Sequence, residues 1–101
     1  MTQIMVRYKV WPDQVAANVE LVRAVYDELD RSTPDGLRYA TFQLEDGVSF
    51  IHLHSDASPD GDRLRHVAAF AGFQDGIAQR CQEAPVVTQL REVGSYRFGG
   101  G

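Results

Sequence analysis

The dipeptide Asp46-Gly47, set between the stretches 37–45 and 48–55, constrains this chain more than any other feature. A two-residue turn of this type closes a tight β-hairpin and leaves the flanking strands no choice of register. Counting outward from the turn pairs Glu45 with Val48, Gln43 with Phe50, Thr41 with His52 and Tyr39 with His54. The alternate set pairs Leu44 with Ser49, Phe42 with Ile51 and Ala40 with Leu53. Directly opposed residues share a sheet face. One face of the hairpin is therefore almost wholly apolar, and the other carries Tyr39, Thr41, Gln43, Phe50, His52 and His54. The apolar face needs a cover, and helices are the expected one.

The rest of the chain supplies two helices and two further strands. Residues 4–11 alternate, with Ile4, Val6, Tyr8 and Val10 on one face and Met5, Arg7, Lys9 and Trp11 on the other. Pro12-Asp13 ends that strand, and Asp13 is placed to cap the next element. Val15, Val19, Val22, Tyr26 and Leu29 form one apolar stripe on a helix of about four turns, stopped by the turn-rich run 32–36. A polar loop at 56–62 leads to a second predicted helix over 63–83, with a local break expected near Gly72 and a stop at Ala84-Pro85. A last strand is expected from Val86 to about Phe98, and Gly99-Gly100-Gly101 reads as a flexible tail. A chain of 101 residues is one domain, assigned to 1–98.

The order βαββαβ puts both helices on one face of a four-stranded sheet. Strands flanking each helix are expected to pair in parallel through right-handed crossovers, and the hairpin antiparallel. The class is α+β, a ferredoxin-like fold with a four-stranded antiparallel sheet. The bare face would present Met5, Arg7, Lys9, Trp11, Tyr39, Phe50 and His52, too aromatic a mixture for a solvated surface. Two copies packed through it would enclose a partly polar cavity, so a homodimer is expected. A net charge of −4 argues against nucleic acid or an anionic membrane surface as partner. No apolar run approaches a membrane span. The single cysteine, Cys81, and a start without a basic leader pattern lead to the expectation of a cytoplasmic protein.

The runs Asp35-Gly36-Leu37-Arg38-Tyr39, Leu44 through His52, and Pro85-Val86-Val87 through Val93-Gly94-Ser95-Tyr96 resemble uncharacterised bacterial members of the dimeric α+β barrel superfamily, in its antibiotic-biosynthesis-monooxygenase-like branch. The resemblance implies the same fold and a dimer. It leaves function broad, because the group includes cofactor-free oxygenases, haem-degrading enzymes, isomerases and chains without known activity. The haem-degrading branch uses an Asn on an early strand, whereas the only Asn here, Asn18, falls on the first helix.

His52 is the candidate base, since an imidazole can take a proton from a phenol or enol near neutral pH. The competing reading makes it an interior histidine bonded to Thr41 or Tyr39. Arg7 is the candidate stabiliser of a substrate anion, with Arg91 a further cation. Tyr39, Thr41, Trp11 and Phe50 would wall the cavity, although interface aromatics are usually packing. His54 is expected at the rim. His52 and His54 lack the further ligands a metal needs. Asp56-x-Ser58-x-Asp60-Gly61 lacks the carboxylate that would complete a calcium loop. Cys81 reads as a small core residue. The expected function is therefore a cofactor-independent, monooxygenase-like enzyme acting on a planar phenolic or polyketide-type compound, with no cofactor or metal. The alternative is a non-catalytic homodimer that binds a small ligand.

Overall fold

The computed structural model describes residues 2–58 and 63–98; the predicted tail 99–101 and the Asp60-Gly61 part of the loop lie outside the described residues. The elements are β1 (Thr2–Val10), α1 (Val15–Ser32), β2 (Leu37–Gln43), β3 (Ser49–Asp56), α2 (Ala68–Gln74), α3 (Ile77–Arg80) and β4 (Cys81–Gln89). Short 3-10 turns at Pro12–Gln14 and Arg63–His66 lead into the helices. The sheet has the order β2-β3-β1-β4, and every neighbouring pair is antiparallel. No parallel pairs form because β3 inserts between β1 and β2, separating the strands that the first helix connects. The ferredoxin-like α+β class stands.

The hairpin register follows the sequence count: Gln43 faces Phe50, Thr41 faces His52 and Tyr39 faces His54. The loop is longer than two residues. Leu44 donates its N–H to Ser49 across the strand ends, and Gly47 donates back to Leu44, with Gly47 at φ +80°. The Asp46 carboxylate accepts from the Ser49 hydroxyl and from the Ser49 and Val48 amides. The Ser49 side-chain bond is the leading reason its carboxyl sits below the ordinary carboxylate range.

The assignment of faces is the principal correction. On β1, Val6 stands opposite His52, Tyr8 opposite Phe50 and Ile4 opposite His54. The mixed face of the hairpin is thus continuous with Ile4, Val6, Tyr8 and Val10. This is the face the helices cover: Tyr8 packs beside Phe73 of α2, and Tyr26 of α1 stacks on Tyr39. The bare face carries Met5, Arg7 and Lys9 as expected, but with Ala40, Phe42, Ile51, Leu53 and Val86 rather than Tyr39, Phe50 and His52. Phe42 and Val86 are exposed there, at 47% and 62%. The error has a physical source. The turn fixes which residues share a face but not which face the helices cover, and the polar members His52 and Thr41 are satisfied there by partners from other elements.

The second helical region also departs from expectation. It is three short pieces rather than one helix over 63–83. The break falls at Gly76 (φ +76°), a left-handed conformation that glycine adopts without a Cβ penalty. Gly72 lies inside α2. β4 begins at Cys81, so Pro85 sits within a strand rather than ending a helix. An edge strand tolerates it, because the register shifts between Arg7↔Val86 and Lys9↔Glu83, so residues 84–85 bulge opposite Tyr8. Residues 90–98 lie beyond the strand, and Arg91 goes with them, exposed. Asp13 makes no cap bond to α1, whose N-cap residue is Gln14 and has no side-chain cap bond.

The core joins Tyr8, Val10 and Phe50 of the sheet to Val22 and Val25 of α1 and to Leu64, Val67 and Phe73. Helix α2 lacks its own side-chain cap. Glu28 of α1 supplies one, its carboxylate accepting from the Ala68 and Ala69 amides at 3.0 and 2.9 Å. Negative charge at a helix start also meets the favourable end of the backbone dipole. Glu28→Ala is expected to cost about 1 kcal/mol of stability, read as a lower urea midpoint, with Glu28→Gln losing less.

Candidate functional site

Between the sheet and helices α2 and α3 lies a pocket of about 550 Å³, within the range of small-molecule sites. Its floor is Ile4, Val6 and Tyr8 of β1, Tyr39 of β2, and His52 and His54 of β3. Its roof is Leu64, Phe70, Phe73 and Ile77, and Arg65 and Gln74 also line it. A second hollow, about 250 Å³ between α1 and the Thr41–Phe50 side of the sheet, is below the usual size of such sites. The aromatic walls pack edge to face: Tyr39 meets Phe70 at 6.4 Å and 85°. Phe73 lies 5.2 Å from the His52 ring.

A buried hydrogen-bond chain runs beneath this pocket. Arg80, 7% exposed, places two guanidinium nitrogens on the Phe73 and Asp75 carbonyls. Its Nε donates to Asn18 Oδ1 at 3.4 Å. Arginine can only donate, so the Asn18 oxygen must face Arg80 and the Asn18 amide nitrogen must face Tyr8, to whose hydroxyl it donates at 2.9 Å. With that oxygen accepting, the Tyr8 O–H donates to His52 Nε2 at 2.8 Å. The His52 proton then belongs on Nδ1, which meets the Tyr39 hydroxyl and, at 3.2 Å, Thr41 Oγ1. Tyr26 closes the chain on Thr41 at 2.7 Å. The Tyr39 hydroxyl hydrogen is left for Thr41 or for a group in the pocket. One donor-only residue thus sets the polarity of the row from Asn18 to His52.

Burial governs the titration of these groups. It pushes the His52 imidazole down to about 4 and the Tyr26 phenol up to about 12 despite its bond from Thr41. It raises the Tyr8 and Tyr39 phenols further still. All four are neutral at neutral pH. His54 is also lowered, by burial against the opposing charge of Asp56. It differs from His52 in one respect: it is 8% exposed, and neither ring nitrogen has a hydrogen-bond partner. A buried polar group left unpaired costs on the order of 1–3 kcal/mol.

The residues singled out from sequence therefore divide. His52, Tyr39, Thr41 and Phe50 lie on the helix side of the sheet, with His52 and Tyr39 lining the pocket. His52 sits under Phe73, so no chamber between paired sheets can contain it. Arg7 is on the opposite face, Trp11 follows β1 and is 46% exposed, and Arg91 lies past β4; the structure brings none of the three to the pocket. His54 is buried rather than at a rim. Sequence reasoning missed Tyr8, Asn18, Arg80, Phe70 and Phe73 as site residues. Asn18 was the readable signal, an amide on the apolar stripe of α1 beside Val22 and with no exposure at all. Among the described residues no group of three His, Cys, Asp or Glu is arranged to hold a metal, and no helix is long and apolar enough to cross a membrane. Cys81 opens β4, half-buried.

Helices on one face of an antiparallel sheet, with an aromatic pocket between the layers, define a ferredoxin-like α+β domain. Its fold is that of the antibiotic-biosynthesis-monooxygenase-like proteins, as the sequence resemblance implied. Rv0793 of Mycobacterium tuberculosis superposes with a TM-score of 0.74 at 19% identity, over 93% of this chain and 96% of that one. A Nitrosomonas europaea protein provisionally named an antibiotic biosynthesis monooxygenase gives 0.73 at 16%, over 90% and 88%. A Bacteroides thetaiotaomicron protein with the same provisional name gives 0.76 at 11%, over 91% and 89%. Neither a protein-family model nor a curated protein sequence matches the chain. Likeness at such identities carries the fold and not the substrate.

The His52 shift makes stability depend on pH. Between its ordinary value near 6.5 and its folded value near 4, the unfolded chain binds the proton and the folded chain does not. Stability therefore falls as pH drops through that window, by on the order of 3 kcal/mol if fully expressed, and His54 adds in the same direction. Urea unfolding from pH 7 to pH 4 should show this loss. In His52→Gln the slope should shrink to the part that His54 retains.

Proposed function

We propose that the pocket between sheet and helices takes a planar, partly aromatic small molecule with an acidic C–H or O–H, and that the protein acts on it as a cofactor-independent, monooxygenase-like enzyme. The observation that carries this reading is the pocket itself: about 550 Å³, walled by Tyr39, Phe70 and Phe73, with hydrogen-bonding groups on its floor. The provisional names of several structures with this fold point the same way. The substrate's ionised carbon would react with dioxygen. For a methylene flanked by rings, CH2 + O2 gives C=O + H2O: one oxygen stays as the carbonyl, and the other leaves with both hydrogens.

In this reading His52 is a positioning residue rather than the base. Both its nitrogens are engaged by protein groups, and burial leaves it too weakly basic to take a phenol's proton. Its Nδ1–H holds the Tyr39 oxygen, which turns the Tyr39 O–H toward a developing enolate or phenolate oxygen. Arg7, Trp11 and Arg91 have no part in it. Binding without turnover is the second reading, favoured by that saturation of His52.

Anthrone, a planar compound with an acidic methylene, tests the choice. Dioxygen uptake and anthraquinone formation above the uncatalysed rate are expected, with kcat falling about tenfold in Tyr39→Phe, the loss of roughly one neutral hydrogen bond. Saturable binding with no rate enhancement would select the second reading.

The bare sheet face supports a homodimer. Phe42, Ile51, Leu53, Met5 and Val86 give it apolar surface, with Arg7 standing between Ile51 and Val86, of the kind that a second copy covers. Sedimentation should give a dimer for the native chain, and Phe42→Asp combined with Leu53→Asp should give a folded or partly folded monomer. A native chain that sediments as a monomer would remove this part of the proposal.

A further inference from the structure

We infer that the pocket is built for an anion, and that its ligand is a planar aromatic carboxylate whose acid group is received by His54 and Arg65. The inference rests on the pocket reading above and specifies the ligand's chemistry. His54 lines the pocket at 8% exposure with both ring nitrogens unpaired. A neutral imidazole offers one N–H and one bare nitrogen, so a group that can both accept and donate satisfies it. An aromatic acid with a neighbouring hydroxyl is such a group.

Arg65 lines the same pocket from the turn Arg63–His66. That turn is tied to the end of β3, because Asp56 accepts from the Arg63 amide at 2.9 Å. The tie brings Arg65 to the end of the pocket where His54 stands two residues before Asp56. Among the described residues Arg65 pairs with no carboxylate. The nearby Asp56 charge is already matched: its oxygens accept from the Ser58 and Arg63 amides, and the Arg63 guanidinium lies 3.7 Å away. An incoming carboxylate therefore meets an unspent cation and a free N–H. Phe70, Phe73 and Ile77 add apolar surface over His52 and Tyr39, which suits a flat ring system. The pocket thus combines an anion-receiving pair, His54 and Arg65, with an aromatic roof from α2.

The test compares 1-hydroxy-2-naphthoate with 1-naphthol, which share rings and hydroxyl and differ in the carboxylate. Calorimetric titration of the intact protein should show the acid binding at least tenfold more tightly. Arg65→Gln and His54→Leu should each remove most of that preference. His54→Gln, which keeps a donor and an acceptor, should retain part of it. The His54 side-chain nitrogen resonances of the native protein should move with the acid, a readout that stands even if His54→Leu does not fold. Equal binding of the two probes, unmoved by the variants and without a His54 shift, would overturn the inference and leave the pocket reading intact. If neither probe binds, the inference falls, and the pocket reading falls with it if anthrone also fails to bind.

Discussion

Arg80 is a buried guanidinium with no carboxylate partner among the described residues, and much of the site depends on how it is satisfied. Two of its nitrogens go to the carbonyls of Phe73 and Asp75, at the end of α2, and its plane lies over the Phe73 ring. The third reaches Asn18 on α1. One side chain thus ties the end of α2 to the first helix and, through Asn18 and Tyr8, to the middle of the sheet. Because a guanidinium only donates, the tie also has a direction. Asn18 must present its amide nitrogen to Tyr8, Tyr8 its hydrogen to His52, and His52 its Nδ1–H to Tyr39. A polar row of this kind is tolerable in an interior only when each member is satisfied, and this one draws its members from five elements, β1, α1, β2, β3 and α3.

The same row explains the chemistry of the two histidines. They stand two residues apart on β3 and face the same layer, yet their situations are opposite. His52 is enclosed by Tyr8, Tyr39 and Thr41 and acts on its neighbours' orientation. His54 lies two residues further along the strand, where Tyr39 of β2 gives it aromatic company but no hydrogen bond. Protein groups complete the first imidazole and leave the second open to whatever enters the pocket. Structural and receptive polar groups therefore sit side by side, distinguished by partners rather than by residue type.

Both faces of the sheet are mixed: the bare face sets Phe42, Ile51, Leu53 and Val86 beside Arg7 and Lys9, and the covered face sets His52, His54 and Thr41 beside the core. Two needs account for it. The helical layer is thin where α2 and α3 are short and broken at Gly76, so the covered face encloses a pocket as well as a core. The bare face, carrying Phe42, Leu53 and Val86, is suited to burial against another apolar surface.

The order of elements, the hairpin register and the pairing of Tyr39 with His54 and Thr41 with His52 were legible in the sequence, because turn chemistry and side-chain alternation are local. So was the apolar stripe of α1 through Val22 and Val25. The side of the sheet on which His52 falls was not legible. It depends on the pairing of β1 with β3, Val6 opposite His52, which joins residues 46 positions apart and leaves no mark on either segment alone. The strand that contains Pro85 was hidden for a related reason: only its place at the sheet edge, bulged opposite Tyr8, makes a proline acceptable there. Local sequence determined which residues travel together on a face. Only the packed layers decided which face they turned to the helices, since that choice is made by partners such as Asn18 and Arg80 that arrive from elsewhere in the chain.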